Sequence, residues 1–254
     1  ADHVISASDH ARDNTLLGCE GKELQFRNGT SFLMFLNQCP LYAGDVIERF
    51  RPGIAMVLSM HRSEKGVPSL TVHPTGNIGG ADYGGNPNSV SIAPALRMKV
   101  GLLSLLKSAE SVHGNFSISY ETTHHGPTVN VPLMFLEIGS GITEWTNRKA
   151  GEAVAKAAIE AAFSESSDSR IFLGLGGSHY APFFTGLVTT KEVAVSHMVS
   201  QYHLPFLSPD MLKLLIQKTE GKVEGFALDW KGLRTEKANV LSLIEMAGLP
   251  YMKS

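Results

Sequence analysis

Along this chain the apolar positions fall into two periods. Residues 54–58 form an unbroken apolar run, as expected of a strand covered on both faces. A turn signal at 64–68 leads into a second strand at 69–73. Pro94 opens a stretch to about residue 110 whose apolar residues recur at helical spacing. Strands are predicted at 116–123 and 131–138, then an alanine-rich helix from an N-cap at Thr143 to Phe163. The next strand, 170–175, runs into Gly174-Leu175-Gly176-Gly177, and 192–199 alternates with Val193, Val195, His197 and Val199 on one face. Ser208-Pro209-Asp210 starts a helix that stops at Gly221, 223–229 reads as strand, and 235–247 as a last helix closed by Gly248. A short first strand is expected at 4–7. Strands alternating with helices predict an α/β fold, three-layer α/β/α, in one domain spanning 1–254.

Composition narrows the class. Hydrophobic residues make up 43% and charged residues 18% of the chain, enough apolar material for a sizeable core. The formal net charge of −2 argues against a coating or packaging role on nucleic acid, while leaving room for a local basic patch. The 2 cysteines, Cys19 and Cys39, lack a CxxC spacing and read as reduced thiols. Neither a basic-then-apolar leader nor a membrane-length apolar run is read in the chain, so the expectation is a cytoplasmic protein with no membrane contact. No obligate protein partner is evident, and a monomer or small homo-oligomer is expected.

The chemistry gathers at histidines on strand ends. In Glu121-Thr122-Thr123-His124-His125-Gly126-Pro127, strand alternation sends His124 to an apolar face and His125 to a polar one, unless the backbone turns. Alone, His124 reads as a core histidine and His125 as a solvated strand end. Together at one terminus they point to a site, because neutral imidazole serves as base or metal ligand near pH 7. Glu137 sits on a strand apolar on both faces, so its carboxylate must be paired, metal-bound or protonated. His179 follows Gly176-Gly177, and His73 ends its own strand. His197, sharing its face with three valines, reads as a buried structural histidine at least as readily as a functional one, and His3, His10, His113 and His203 carry no functional signal. The glycine-dense segment 76–87 offers backbone that can approach a ligand closely. If 116–123 and 131–138 form a hairpin, idealised strands give two separated clusters, His73/His124/His125 and Glu137/His179, which only bent loops would merge. No dinucleotide fingerprint, Walker A loop, HExxH or GxSxG elbow is present. Water activation by histidine or by a metal remains.

At these same residues the chain resembles the D-aminoacyl-tRNA deacylases of the archaeal and plant (GEKO) type. The likeness lies in Thr71-Val72-His73-Pro74-Thr75-Gly76-Asn77, Ala81-Asp82-Tyr83-Gly84-Gly85 and Thr123-His124-His125-Gly126-Pro127. It continues in Glu137-Ile138-Gly139-Ser140 with Glu144-Trp145, and in Gly176-Gly177-Ser178-His179-Tyr180-Ala181-Pro182. Order and approximate spacing match from about residue 54 to 202. Two departures stand out. Phe183 stands where the family often has a polar or basic residue, and a Gly-His…Lys-Tyr pattern reads Ser196-His197 and Gln201-Tyr202 here.

The resemblance implies hydrolysis of the ester joining a D-amino acid to the 3′-terminal ribose of tRNA, with zinc as cofactor. It implies a phosphorylase/hydrolase-like fold with a mixed sheet, akin to peptidyl-tRNA hydrolase. His73, Asn77, His124 and His125 would then form the cleft. In the mechanism expected here, His73, His124 and His125 are catalytic. Asn77, Gly79, Gly80, Gly176, Gly177 and Tyr180 would bind substrate, the glycines lending backbone N–H groups to the oxyanion. His124, Glu137 and His179 would hold the metal. The rival expectations are a zinc-dependent amidase or exopeptidase on small substrates, and a non-catalytic tRNA-binding module.

Overall fold

The structure, a computed structural model, describes residues 12–16, 19–26, 29–63, 66–112, 116–164 and 168–254. The strand expected at 4–7, and His3, His10 and His113, lie outside the described residues. The chain enters through an antiparallel meander, β1 (Arg12–Leu16), β2 (Cys19–Phe26) and β3 (Gly29–Met34), followed by helix α1 (Gly44–Phe50). None of these four was read from periodicity.

From residue 55 the alternation of strands and helices takes over. The elements are β4 (Ala55–Arg62), β5 (Ser69–Pro74), the short pair β6 (Gly76–Asn77) and β7 (Ser89–Val90), α2 (Ala95–Ser108), β8 (Ser117–Tyr120) and β9 (Leu133–Ser140). They continue with α3 (Ile142–Trp145), α4 (Arg148–Ala162), β10 (Arg170–Leu175), α5 (Pro182–Thr190) and β11 (Val193–Val199). The last are α6 (Pro209–Gln217), β12 (Val223–Leu228), α7 (Lys237–Ala247) and β13 (Tyr251–Lys253).

Two four-stranded sheets carry the fold. One is ordered β4-β9-β5-β8, with β5 antiparallel to β9 and the other pairs parallel, and the second is the all-parallel β11-β10-β12-β13. They meet where the chain leaves β8: the Thr123 N–H donates to the Met198 carbonyl at 2.8 Å, and the Met198 N–H donates to Thr123 Oγ1 at 3.0 Å. Helices cover both sides. Met98, Leu102 and Leu105 of α2, the alanines of α4, and Phe184 and Leu187 of α5 pack on one face with Leu70, Val72, Tyr120, Leu136 and Phe172. Met211 and Leu215 of α6 and Val240, Leu243 and Ile244 of α7 pack on the other, against Leu173, Leu175, Phe226 and Leu228. The three-layer α/β/α arrangement with a mixed sheet stands as expected.

Several elements differ from expectation for identifiable reasons. The helix expected from Thr143 to Phe163 is broken in two, with Thr143 inside α3. The true cap is Asn147, whose side chain accepts the N–H groups of Lys149 and Ala150 and starts α4. Helix α5, not read from the sequence, begins at Pro182 in its first turn, where a missing N–H costs nothing. No hairpin joins β8 to β9, because β5 lies between them.

His197 is structural, as its valine neighbours suggest. It is fully buried in β11, with Nδ1 3.2 Å from Thr123 Oγ1 and Nε2 3.1 Å from the Lys218 carbonyl. Burial pushes its imidazole down to about 4. The unfolded chain therefore binds a proton near pH 6.5 that the folded chain refuses, so stability falls as pH drops from 6.5 toward 4 and levels off below. The expected loss is on the order of 3 kcal/mol. His197→Gln should show a shallower fall in urea midpoint between pH 7 and pH 4.5 than the unaltered chain; equal slopes would refute the assignment.

Candidate active site

The site lies on a sheet face, not at a sheet end. Register places Ser59, Glu137, Thr71 and Ser119 side by side across β4, β9, β5 and β8. Two residues on along β5 comes His73, opposite Phe135. The Glu121 N–H donates to the Val72 carbonyl at 3.0 Å, which continues the β5–β8 ladder by one residue and brings Glu121 beside His73. Alternate residues of these same strands, Leu70, Val72, Tyr120 and Leu136, face the helix layer instead. One set of strands thus supplies core from one face and chemistry from the other.

His61, on β4, reaches the same face. It pairs with Gly139 in register, and a Cβ on Gly139 would stand 3.1 Å from the His61 ring and 2.4 Å from Ser69 Oγ. Only glycine leaves room there for the imidazole to lie across β9 toward Glu137.

The two histidines of the Thr-His-His-Gly-Pro stretch serve one environment because the backbone does turn. His125 adopts the left-handed region, with φ 42°. Gly126 packs so tightly that a Cβ would meet Gly85 N at 2.3 Å and Leu41 O at 2.7 Å. Both rings consequently converge on His73, with centroids 4.3 Å (His124) and 4.9 Å (His125) away. The Thr122 N–H donates to the His179 carbonyl at 2.8 Å, which ties the loop after β10 to the same point. His179 then stacks edge-on against His124 at 4.6 Å.

The expected separation into two clusters is overturned. It assumed a β8–β9 hairpin and a strand ending at 138. In the structure β9 runs to Ser140, antiparallel to β5, so Glu137 lies within the strand and its side chain shares the face with His73. Five histidines (His61, His73, His124, His125 and His179) surround two carboxylates.

Their contacts are specific. Glu137 Oε1 accepts the Ser59 hydroxyl at 2.6 Å, and its Oε2 lies 3.4 Å from His61 Nδ1 and 3.6 Å from His73 Nε2. Glu121 Oε2 lies 3.1 Å from His179 Nε2 and 3.4 Å from His124 Nε2, and its Oε1 is 3.8 Å from His61 Nδ1. Glu121 is fully buried, yet neither of its oxygens has a hydrogen-bond partner in proper alignment among the described residues. Burial alone would push both carboxyls up. The imidazoles of His179 and His73 outweigh it at Glu121, and those of His61 and His73 with the Ser59 hydroxyl outweigh it at Glu137, so both are held below the usual range.

The histidines divide into two kinds. His61 is raised, chiefly by its Glu137 partner; His73 is raised as well, because Glu137 overcomes the opposing effect of its complete burial. His124 is pushed well down and His125 down to about 4, by burial first and by the neighbouring imidazoles next. Each of the latter pair has Nδ1 against a backbone carbonyl, that of Thr122 at 2.7 Å for His124 and that of Gly126 at 2.6 Å for His125. A neutral ring so placed donates from Nδ1 and leaves the Nε2 lone pair free.

That donor set suits a divalent cation. Three groups have ligand atoms within 4.8 Å of one another: Glu121/His124/His179, His61/Glu121/Glu137 and His73/His124/His125. Two ligands about 2.0–2.2 Å from a tetrahedral centre stand about 3.3–3.5 Å apart, close to the spacings around Glu121 Oε2. A buried carboxylate without a well-aligned hydrogen bond, facing His179 and a His124 ring whose Nδ1 is anchored on the Thr122 carbonyl, is what such a centre needs. Glu121, read from the sequence only as part of a polar face, takes the place expected for Glu137 beside His124 and His179; Glu137 belongs with His61. Neither Glu121 nor His61 was selected from sequence. The signal for both was period two: His61 follows Ser59, and Glu121 follows Ser119, on faces that register brings to Glu137.

The remaining expected residues border this cluster. The Tyr180 hydroxyl lies 3.2 Å from His61 Nε2. Asn77 is buried and its amide donates to the carbonyls of Gly84 (2.8 Å) and Asn86 (3.3 Å), so it organises the glycine-rich loop. Gly79 lies against Phe206, while a Cβ on Gly80 would stand 4.0 Å from Asp82 Oδ1. The Gly176 N–H already donates to the Val199 carbonyl at 2.8 Å, which removes it as an oxyanion donor. Gly177 packs on Asp229 and its carbonyl accepts the Gln201 N–H.

Comparisons with known proteins agree on one family. The family model for D-aminoacyl-tRNA deacylase matches residues 49–252. A D-aminoacyl-tRNA deacylase of Pyrococcus abyssi is 39% identical over 207 residues, covering 80% of this chain and 75% of that protein. One from Methanocaldococcus jannaschii is 35% identical over 206 residues, covering 76% and 79%. A crystal structure of a conserved protein of unknown function superposes with a TM-score of 0.85 at 29% identity, covering 96% of this chain and 86% of that one. A matched model over most of the chain, and relatives at this identity, show that the chain belongs to the D-aminoacyl-tRNA deacylase family.

Proposed function

We propose that this chain hydrolyses the ester joining a D-amino acid to the 3′-terminal ribose of tRNA, releasing free tRNA and the D-amino acid, with zinc as its cation. The observation that carries this reading is Glu121, buried with no well-aligned hydrogen bond among the described residues and facing His179, His124 and His61 at 3.1, 3.4 and 3.8 Å. Family membership supplies the substrate class.

Glu121, His124 and His179 would hold one cation, and His61 with Glu137 extends the set through the second oxygen of Glu121. Zinc bound there supplies a Lewis acid in a cleft from which much of the water is excluded. His125 does the proton work. Its Nε2 is unprotonated at neutral pH, so it accepts a proton from the attacking water and returns it to the departing ribose hydroxyl. His73, in ring contact with both His124 and His125, orients them while Glu137 balances its charge. With the Gly176 amide committed, backbone N–H groups at Gly79, Gly80 and Gly177 are the glycine donors left for the developing oxyanion. Rejection of L-aminoacyl-tRNA requires a wall that clashes with the mirror-image side chain.

Two measurements check the proposal. D-tyrosyl-tRNA should be hydrolysed and L-tyrosyl-tRNA spared, with a chelator lowering the rate at least about a hundredfold and added zinc restoring it. Cleavage of a D-aminoacyl amide with no turnover of charged tRNA would favour the amidase alternative and sink this one. Glu121→Gln, which keeps the side-chain shape and removes the charge, should weaken zinc binding in a calorimetric titration by at least about tenfold and lower kcat by more than about a hundredfold. Full zinc content and full rate in that variant would refute the ligand assignment.

A further inference from the structure

Three large aromatic side chains stand exposed on the loops that border the histidine cluster: Tyr83 (68% exposed), Tyr202 (67%) and Phe206 (58%). Single exposed aromatics are ordinary on a protein surface. Three on segments that adjoin one histidine cluster ask for a cause. Two are tied to the site through backbone and the third through a ring contact. The Tyr83 carbonyl accepts the Gly126 N–H at 2.9 Å, next to His125. Gln201, just before Tyr202, donates its N–H to the Gly177 carbonyl at 2.8 Å, two residues from His179. The Phe206 ring lies against Gly79, 3.4 Å from where a Cβ would stand. Between the last two, His203 Nδ1 lies 2.9 Å from Ser200 Oγ.

The same rim carries cations. The turn holding Lys231 and Arg234, both exposed, packs on Gly176 and Gly177. Arg234 Nε donates to Gln201 Oε1 at 3.0 Å, which fixes the guanidinium beside Tyr202. Against them stands Asp82, whose carboxylate approaches Gly80.

The geometry points to a stacking platform: Tyr83, Tyr202 and Phe206 receive the unpaired bases at the 3′ end of the tRNA, while Arg234 and Lys231 meet its phosphates. The inference rests on the deacylase reading of the cluster. Covalent continuity argues for this occupant. The scissile ester is attached to the terminal ribose, so whatever borders the cleft must face the last bases, which are single-stranded. Aromatic faces combined with a few cations are how proteins hold unpaired nucleotides without reading their sequence. The platform also accounts for binding by a chain whose net charge is −2, since stacking rather than a global positive field supplies the hold.

The test uses Tyr83→Ala, Tyr202→Ala and Phe206→Ala, with Tyr202→Phe and Phe206→Tyr as replacements that keep a ring. Fluorescence anisotropy reads the Kd for an uncharged single-stranded oligonucleotide ending in CCA, and steady-state kinetics read KM and kcat on D-tyrosyl-tRNA. Each alanine variant should raise Kd and KM about tenfold, with kcat changing far less, and the ring-keeping variants should recover most of the loss. Alanine variants that unfold at the unaltered temperature and bind the oligonucleotide as tightly as before would overturn the platform. So would a loss confined to kcat. The two readings fail separately. Ring-dependent oligonucleotide binding without hydrolysis of any D-aminoacyl ester keeps the platform and removes the deacylase. Hydrolysis indifferent to the rings does the reverse.

Discussion

Two carboxylates buried on the face of a sheet constrain everything around them. An unpaired buried carboxylate costs several kcal/mol of lost hydration. Here Glu121 and Glu137 are nearly or fully out of solvent, and serine, histidine and the site's own geometry must offset that loss. Glu137 is satisfied within the chain, by the Ser59 hydroxyl and the raised imidazoles of His61 and His73. Glu121 is not. Its two oxygens face three histidines at ion-pair spacing without a hydrogen bond, and that imbalance is the physical reason to regard the cluster as built for a cation.

The scaffold separates stability from chemistry by the simple alternation of strand side chains. On β5, Leu70 and Val72 enter the helix-covered core while Thr71 and His73 face the site; on β9, Met134 and Leu136 do the former and Glu137 the latter. A rigid, packed sheet therefore holds four of the seven ionisable groups, His61, His73, Glu121 and Glu137. His124, His125 and His179 arrive on loops, and those loops are fastened to the sheets by backbone hydrogen bonds. Among the described residues no helix is long and apolar enough to cross a membrane.

The lowered pair His124 and His125 and the raised pair His61 and His73 share one cluster, a few ångströms apart. Their division follows from position relative to Glu137. Rings in direct contact with that carboxylate keep a proton more readily, while rings beyond it meet burial and the repulsion of the others. Such a gradient sets rings that hold a proton more readily beside rings that release it more readily.

Local pattern alone determined most of the elements after residue 54, the layer class, and the residue types from which a hydrolytic site would be drawn. These are properties of neighbouring residues: period, caps such as Gly248, and the incompatibility of Glu137 with an apolar strand. The turn at His125-Gly126 was also legible, because Gly-Pro after an extended run announces it. Which residues meet was not legible. The idealised hairpin set Glu137 apart from His73, whereas insertion of β5 between β8 and β9 joined them, and strand order is decided by long-range packing that no local window contains. For the same reason His61 and Glu121 joined the candidate site only in the fold: each carries an ordinary polar alternation in sequence, and only cross-strand register sets them around Glu137 and His179.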